Sequence, residues 1–289
     1  MTMKPLIRHS KEPGIDPFIL PWDRGTAGSP NSSSSIDRTL IPRLDWSRVC
    51  HHLPDLRRIR IDINGCHAGS PLCVAEAIVE FAVGWAFFHR FFSEAAELGK
   101  VTSSSQRVSI MVESGIDLDR RRFEAMGWTD GGAGELRQPG MGEFRSARTP
   151  RAVPVIDDLD ALSVCERVFH RFDTDGANVG YVHAALANEH QIMCIARDVS
   201  AEAAAAKIVG WALQVEGDLG ASMLIVRGVV DAPLIHGAAR AGVAIVATDA
   251  VPSRSAVELA GETCTTVLGL ALSHRRALFA DGGHIGISD

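Results

Sequence analysis

Between residues 179 and 280 short apolar runs alternate with short helical segments, and this alternation limits the folds open to the chain more than any other feature. Val179–Ala187 and Gln191–Ala196 are apolar runs of strand length. Ser200–Leu213 is Ala-rich and reads as a helix, Met223–Val226 as a buried strand, Pro233–Ala241 as a short helix and Val243–Ala247 as another strand. Arg254–Ala260 is helical again, and Thr265–Leu270 is a last strand. Strands alternating with helices build βαβ units, in which a mostly parallel sheet is covered on both faces. The fold class is therefore α/β. In such sheets ligands sit beyond the strand ends, which directs attention to the loops there.

The N-terminal part reads differently. Residues 1–38 are punctuated by Pro5, Pro13, Gly14, Pro17, Pro21, Gly25, Gly28 and Pro30 and carry the polar tract Asn31–Ser35. Such a segment buries too little apolar surface to offset its ordering entropy, so a disordered tail is expected. Residues 39–150 read as a smaller mixed α+β region. Ile59-Arg60-Ile61-Asp62-Ile63 alternates with period two and runs into Asn64-Gly65, a strong hairpin signal. A helix is expected over Val74–Glu97, a strand over Val108–Val112 and a glycine-rich loop over Gly127–Gly142. The linker Ala147–Pro154 leads into the α/β domain of residues 151–289. There Asp157 or Asp158 caps a helix whose Leu159, Leu162, Cys165, Val168, Phe169 and Phe172 share one face.

Charge narrows the function classes. A net charge of -6 argues against a broad nucleic-acid surface. Lysine is confined to Lys4, Lys11, Lys100 and Lys207, so the cations are nearly all arginine, which suits bidentate phosphate or carboxylate contacts. The six cysteines form no Cys-x-x-Cys pair, and Met1–Ser10 shows no secretory pattern, so reduced thiols in a cytoplasm are expected. Val74–Phe92 is apolar, but Glu76, Glu80, His89 and Arg90 interrupt it, so it reads as a buried soluble helix and not a membrane span. Phe81, Trp85, Phe88 and Phe92 fall at helical spacing, and Phe87 and Phe91 widen the stripe. Core burial is the first reading of that stripe and a homodimer interface the second.

Several stretches resemble the FdhD family of formate dehydrogenase accessory sulfurtransferases, weakly from Leu56 and better after Val179. Arg60–Gly65 is similar to the family's early strand ending in Asn-Gly, and Glu80–Trp85 to its Glu-Leu-Ala-Leu-Gly-Phe helix. Val182-His183-Ala184-Ala185, Asp198-Val199 and Lys207–Leu213 resemble later segments, as do Ala238–Gly242 and Pro252–Ala260. The resemblance implies a C-terminal three-layer core related to cytidine deaminase. It also implies passage of sulfur from a cysteine desulfurase to the molybdenum cofactor of formate dehydrogenase. By position it implies cofactor contacts at His183, Asp198, Leu270, Ala271, Leu272, Ser273, His274 and Arg275.

The departures carry as much weight. The family's Cys-Gly-x-Cys-Gly loop aligns with Asp130-Gly131-Gly132-Ala133-Gly134. Neither the carboxylate of Asp130 nor the methyl of Ala133 can hold or resolve a persulfide. Among the remaining cysteines, Cys66 just past the Asn64-Gly65 turn is the candidate for a relocated site. Cys73 falls at the start of the expected helix, and Cys194 and Cys264 read as core residues. A zinc deaminase needs His-x-Glu and Cys-x-x-Cys, but His183 is followed by two alanines, so no zinc is expected. Cys50-His51-His52 and Cys66-His67 place neighbours on opposite strand faces, which makes a shared ion awkward. Asp130–Gly134 reads as a flexible linker before a phosphate cradle, and Arg120-Arg121-Arg122 as a solvated run. His183 is open to two readings, a core histidine or one that faces a ligand cleft.

The expectation is an FdhD-like accessory protein for formate dehydrogenase or another molybdoenzyme. It would sulfurate or handle bis-molybdopterin guanine dinucleotide, or hold a guanine nucleotide, without the usual persulfide relay. The alternative is a non-catalytic interaction protein on the same fold.

Overall fold

Asn64 and Gly65 adopt φ of 49° and 81°, the left-handed pair that a two-residue primed turn requires. They join β2 (Arg60–Ile63) to β3 (Cys66–Gly69), while β1 (Leu56–Arg58) pairs antiparallel with β4 (Leu72–Val74). A second hairpin, β5 (Leu98–Ser104) with β6 (Arg107–Val112), adds to β2 through a parallel β2–β6 pairing, giving the order β3-β2-β6-β5. Ile61, Ile63, Val108 and Ile110 turn to the core, while Arg60, Arg107 and Met111 are exposed on the other face. The computed structural model describes residues 53–113, 155–174 and 180–286. The tail 1–38, Cys50-His51-His52, Arg120-Arg121-Arg122, Asp130, Ala133 and the linker Ala147–Pro154 lie outside the described residues.

The helix expected over Val74–Glu97 is shorter: α1 runs from Ile78 to Phe88. Its first residues are drawn into β4, and Arg90 at φ 63° ends it by turning the chain back, so that the Phe91 N–H donates to the Ala86 carbonyl. Cys73 therefore sits in a strand, and burial pushes its thiol up to about 12. Phe81, Trp85, Phe87, Phe88, Phe91 and Phe92 are all buried within this chain, so the aromatic stripe is core.

The larger sheet contains β8 (Val182–Ala187), β9 (Ile192–Asp198), β10 (Met223–Val226), β11 (Ile245–Thr248), β12 (Thr266–Gly269) and β13 (Ala277–Ala280). Their order is β13-β12-β11-β10-β8-β9. Only β10–β11 and β11–β12 are parallel; the pairs β10–β8, β8–β9 and β12–β13 are antiparallel. The sheet is mixed, not mostly parallel. The connections explain it, because Asn188–Gln191 and Leu270–Arg276 are too short to carry a crossover helix. A two-stranded parallel pair, β7 (Ile156–Asp157) with β14 (Ile285–Gly286), completes the strands.

Both faces are covered, as the uniformly apolar strands require. Ala184, Leu186, Leu224, Val226, Val246 and Val267 pack on one side with α1, α3 (Ala201–Gln214) and α4 (Ala232–Arg240). Ala185, Ala187, Ile225, Ala247 and Leu268 pack on the other with Val164, Val168, Phe169 and Phe172 of α2 (Asp158–Thr174). The Asp157 carboxylate accepts from the Leu159 N–H at the start of α2. Leu159 itself is 68% exposed, so the buried face is Ala161, Val164, Cys165, Val168, Phe169 and Phe172. Ser253 caps α5 (Arg254–Glu262) by accepting from the Ala256 N–H.

From Pro54 onward the described residues form one compact unit. Ile59, Ile61 and Ile63 share a core with Leu186, Ile208 and Leu224. The junction is the crossing of α1 on α3. A Cβ at Gly84 would lie 1.8 Å from the Ala206 carbonyl oxygen, and one at Gly210 would lie 1.9 Å from the Glu80 carbonyl oxygen. Two glycines thus let the helix backbones touch. Among the described residues no helix is long and apolar enough to cross a membrane.

Candidate functional site

The parallel strands β10, β11 and β12 point their carboxyl ends to one edge of the large sheet. The antiparallel registers Val226↔Ala184 and Val182↔Asp198 bring the start of β8 and the end of β9 to that same edge. Polar residues collect there because the strand interiors have no room for them: Arg227 follows β10 and Asp249 follows β11.

His183 lies at the centre. It is fully buried in β8, its carbonyl accepts from the Arg227 N–H, and its ring stacks on Phe172 with centroids 5.2 Å apart. Arg227 is held from two sides, with Nη1 2.8 Å from Asp173 Oδ1 and Nε 3.4 Å from Asp249 Oδ2. Its guanidinium also lies over the rings of Phe169 and Phe172, at 5.8 and 5.7 Å. Asp249 Oδ1 accepts from the Gly228 N–H at 2.8 Å, and the Thr248 hydroxyl donates to the Gly228 carbonyl.

On the β9 side Arg197 forks onto Glu76 at 2.9 and 2.7 Å and lies 4.5 Å over the ring of Tyr181. Hydrogen bonding from Arg197 holds the Glu76 carboxyl below its ordinary value against partial burial. Two helix starts open to the same edge. Ser200 accepts from the Ala203 N–H at α3, and Asp231 from the Leu234 N–H at α4. Burial, with nearby Asp231, pushes the Glu202 carboxyl up to about 7, and burial also raises Asp231.

Asp198 and Lys207 belong to the scaffold beneath. Asp198 is fully buried, its Oδ2 lies 2.8 Å from Lys207 Nζ, and the carboxylate accepts from the N–H groups of Val74 and Val199. Lys207 Nζ donates to the carbonyls of Val74 and Arg197. Every hydrogen-bonding direction of this pair is used inside the protein.

The stretch from Leu270 to Arg275 forms the loop after β12. The N–H groups of Leu270 and Ala271 donate to the carbonyls of Ala250 and Thr248, which anchors the loop against the β11 end. Ala271 is buried, while Leu272, His274 and Arg275 are exposed; the Arg275 N–H donates to the Ser273 hydroxyl. His183, Asp198 and this loop, expected as cofactor contacts, thus share one end of the sheet. Two of them, His183 and Asp198, are buried, and the loop is accessible. Sequence reasoning passed over Arg227, Asp249, Asp173 and the Glu76–Arg197 pair as site residues. Their signal was present as charged residues abutting apolar strands, at Ile225-Val226-Arg227 and Ala247-Thr248-Asp249.

Among the described thiols, Cys73 adjoins the buried Asp198–Lys207 pair. Burial pushes Cys165 up to about 12 and raises Cys194 as well. Cys66 is exposed, as expected, but Cys264 is exposed too, at φ 51° in the turn before β12, so it is not a core residue. Among the described residues no group of three or more His, Cys, Asp or Glu could hold a metal ion. A shallow cleft lined by Asn188, Glu189, His190, Ser222 and Met223 opens at the opposite end of the sheet.

The model of the FdhD/NarQ family matches residues 57–285. A sulfur carrier protein FdhD of Geobacillus kaustophilus is 23% identical over 214 residues, covering 73% of this chain and 81% of that protein. Its namesake in Methanothermobacter thermautotrophicus is 27% identical over 222 residues, covering 77% and 86%. The crystal structure of a Desulfotalea psychrophila protein, assigned as a formate dehydrogenase accessory protein, superposes with a TM-score of 0.64 at 16% identity, over 81% of this chain and 90% of that one. With its matched region spanning the four-stranded and six-stranded sheets and helices α1 to α5, the chain belongs to the FdhD/NarQ family.

Proposed function

We propose that the chain is an FdhD-like accessory protein for formate dehydrogenase or another molybdoenzyme. It holds the guanine-nucleotide end of a molybdenum cofactor as cargo and runs no persulfide relay of its own. The observation that carries this is the joining of family membership to a carboxyl-end cluster in which the guanidinium of Arg227 stands beside the Asp249 carboxylate and the loop after β12 exposes Arg275. The names of the curated relatives and of the Desulfotalea protein support the client class. A six-stranded mixed sheet covered by helices on both faces supports a deaminase-related core.

The side chains present fit such a cargo chemically. Arg227 and Arg275 supply guanidinium groups for phosphates, the Asp249 carboxylate suits the N–H edge of a guanine, and Phe169 and Phe172 back the site with aromatic surface. Cys73, Cys165 and Cys194 fit a relay poorly, because burial raises their thiol pKa values, and the resemblance puts Asp130 and Ala133 at the family's two cysteine positions.

One observation favours the second reading, an interaction protein with no ligand: Arg227 is already engaged by Asp173 and Asp249. Equilibrium dialysis with GDP separates the two. The first reading expects GDP to bind in preference to ADP, and Arg227→Ala to weaken it by roughly tenfold or more, the worth of one charge-assisted hydrogen bond. Absence of GDP binding, or binding indifferent to Arg227→Ala, contradicts it and leaves the interaction protein.

A further inference from the structure

The outer face of the four-stranded sheet carries a second group of reactive side chains, far in topology from the carboxyl-end cluster. Asp62 is 5% exposed at the middle of β2. Arg60 Nε at 2.9 Å and Arg107 Nε at 3.1 Å pin its two oxygens from the solvent side. Oδ1 also faces His67 Nδ1 at 3.6 Å, and His67 Nε2 faces the Ser70 hydroxyl at 3.4 Å.

The backbone explains how these three meet. Residues 67 and 70 are three apart, so in a regular strand they would point to opposite faces. The register slips between Ile61 and Asp62: Ile61 pairs with Gly69, while Asp62 pairs with His67, leaving Ala68 as an extra residue. That bulge restores Ser70 to the face of His67. Bulges re-aim side chains in this way and recur beside active sites. Arg58 Nη1 donates to the Ser70 carbonyl and fixes the end of the strand.

His67 Nδ1 is buried, makes no hydrogen bond among the described residues and lies 3.6 Å from Asp62 Oδ1, so a proton placed on Nδ1 faces that carboxylate. That leaves the Nε2 lone pair toward Ser70. A serine hydroxyl facing one nitrogen of an imidazole, with a buried carboxylate facing the other, is the order of groups found at an activated nucleophile. Gaps of 3.4 and 3.6 Å suit a resting site, because such contacts shorten when substrate is bound.

We infer that Ser70 is a nucleophile activated by His67 and Asp62, and that it accepts the acyl group of an activated carboxylic ester bearing a negative charge. Arg60 and Arg107, 45% and 55% exposed, favour the anionic ester. In the acylation step the Ser70 O–H bond breaks and its proton passes to His67 Nε2. The Oγ–carbonyl bond forms, and the ester C–O bond breaks. The leaving alcohol takes the proton from His67, or departs as phenolate while His67 returns the proton to water. Water hydrolyses the acyl-serine by the reverse relay. A phenolate leaves far more readily than a serine alkoxide, so with a phenyl ester acylation outpaces hydrolysis of the acyl-serine.

Incubation of the whole chain with p-nitrophenyl hemisuccinate or p-nitrophenyl acetate, followed by peptide mass spectrometry and release of p-nitrophenol, tests this. The expected result is one acyl group on Ser70, formed faster from the anionic ester. Ser70→Ala should lose it, and His67→Gln should slow it by roughly a hundredfold, the usual worth of a general base. Ser70 is half-buried and Ser70→Ala only removes an atom, so the variant should stay folded with a melting temperature close to wild type. Acylation confined to lysines or the N-terminus overturns the inference. So does acylation of Ser70 at an unchanged rate in His67→Gln, which would mark an ordinary exposed hydroxyl.

Discussion

Lys207→Met is expected to destabilise the protein by about 3–5 kcal/mol, the usual consequence of removing one partner from a buried ion pair. Lys207 is 1% and Asp198 0% exposed, with 2.8 Å between Nζ and Oδ2. Without the ammonium the carboxylate stays buried, with only the N–H groups of Val74 and Val199 to answer it, and the carbonyls of Val74 and Arg197 lose their donor. Three elements, β4, β9 and α3, come apart together at this point. Urea unfolding followed by circular dichroism should show a lower midpoint at unchanged slope. A loss below about 1 kcal/mol would mean that the pair does not hold the junction. Arg254→Ala is the control, because Arg254 pairs with Glu258 on an exposed helix face and should leave the urea midpoint unchanged.

Gly210→Val should lower the melting temperature by roughly 6–12 °C, corresponding to about 3 kcal/mol of overpacking for a chain of this size. The added carbon would stand 1.9 Å from the Glu80 carbonyl and 2.6 Å from the Gly84 nitrogen. Both obstacles are backbone atoms of α1, so no rotamer change relieves the clash and the helices must separate. Gly84→Val should behave alike from the other side of the crossing, where the obstacle is the Ala206 carbonyl. Gly228→Ala tests a different cause. Nothing lies within 4 Å of its added carbon, but φ is 97°, so its penalty is conformational only and should be smaller. Equal melting temperatures for Gly210→Val and wild type, measured by calorimetry, would contradict the close crossing.

The larger sheet was legible because its strands are short apolar runs flanked by turn residues. Met223–Val226 was placed at its observed bounds and four other strands within a few residues, but the edge strand β13 (Ala277–Ala280), beyond what read as the last strand, was missed. Strand direction was not legible. Parallel and antiparallel neighbours buried on both faces read alike, and the direction was set by loops such as Asn188–Gln191 rather than by the strands. The overlong helix came from a run that stays apolar through Phe91 and Phe92, while the backbone reverses at Arg90, a residue type that gives no warning of a left-handed turn. Asn64-Gly65 gave that warning and was read correctly. At the site, the pairing of Asp198 with Lys207 was not legible, because the two lie on successive elements, β9 and α3, and meet only through their packing. Arg227 and Asp249 are brought together by the β10–β11 pairing, which no local pattern announces.

The claim on which the account rests is that a sulfur-carrier scaffold persists here without its thiol relay. Incubation of the native protein with a cysteine desulfurase and cysteine, followed by intact and peptide mass spectrometry, tests it most directly. No adduct of one sulfur atom is expected on any cysteine of the folded protein, beside a thiol-bearing FdhD relative that gains one. A persulfide on the exposed Cys66 of the native chain, transferred onward to a molybdenum cofactor, would contradict it.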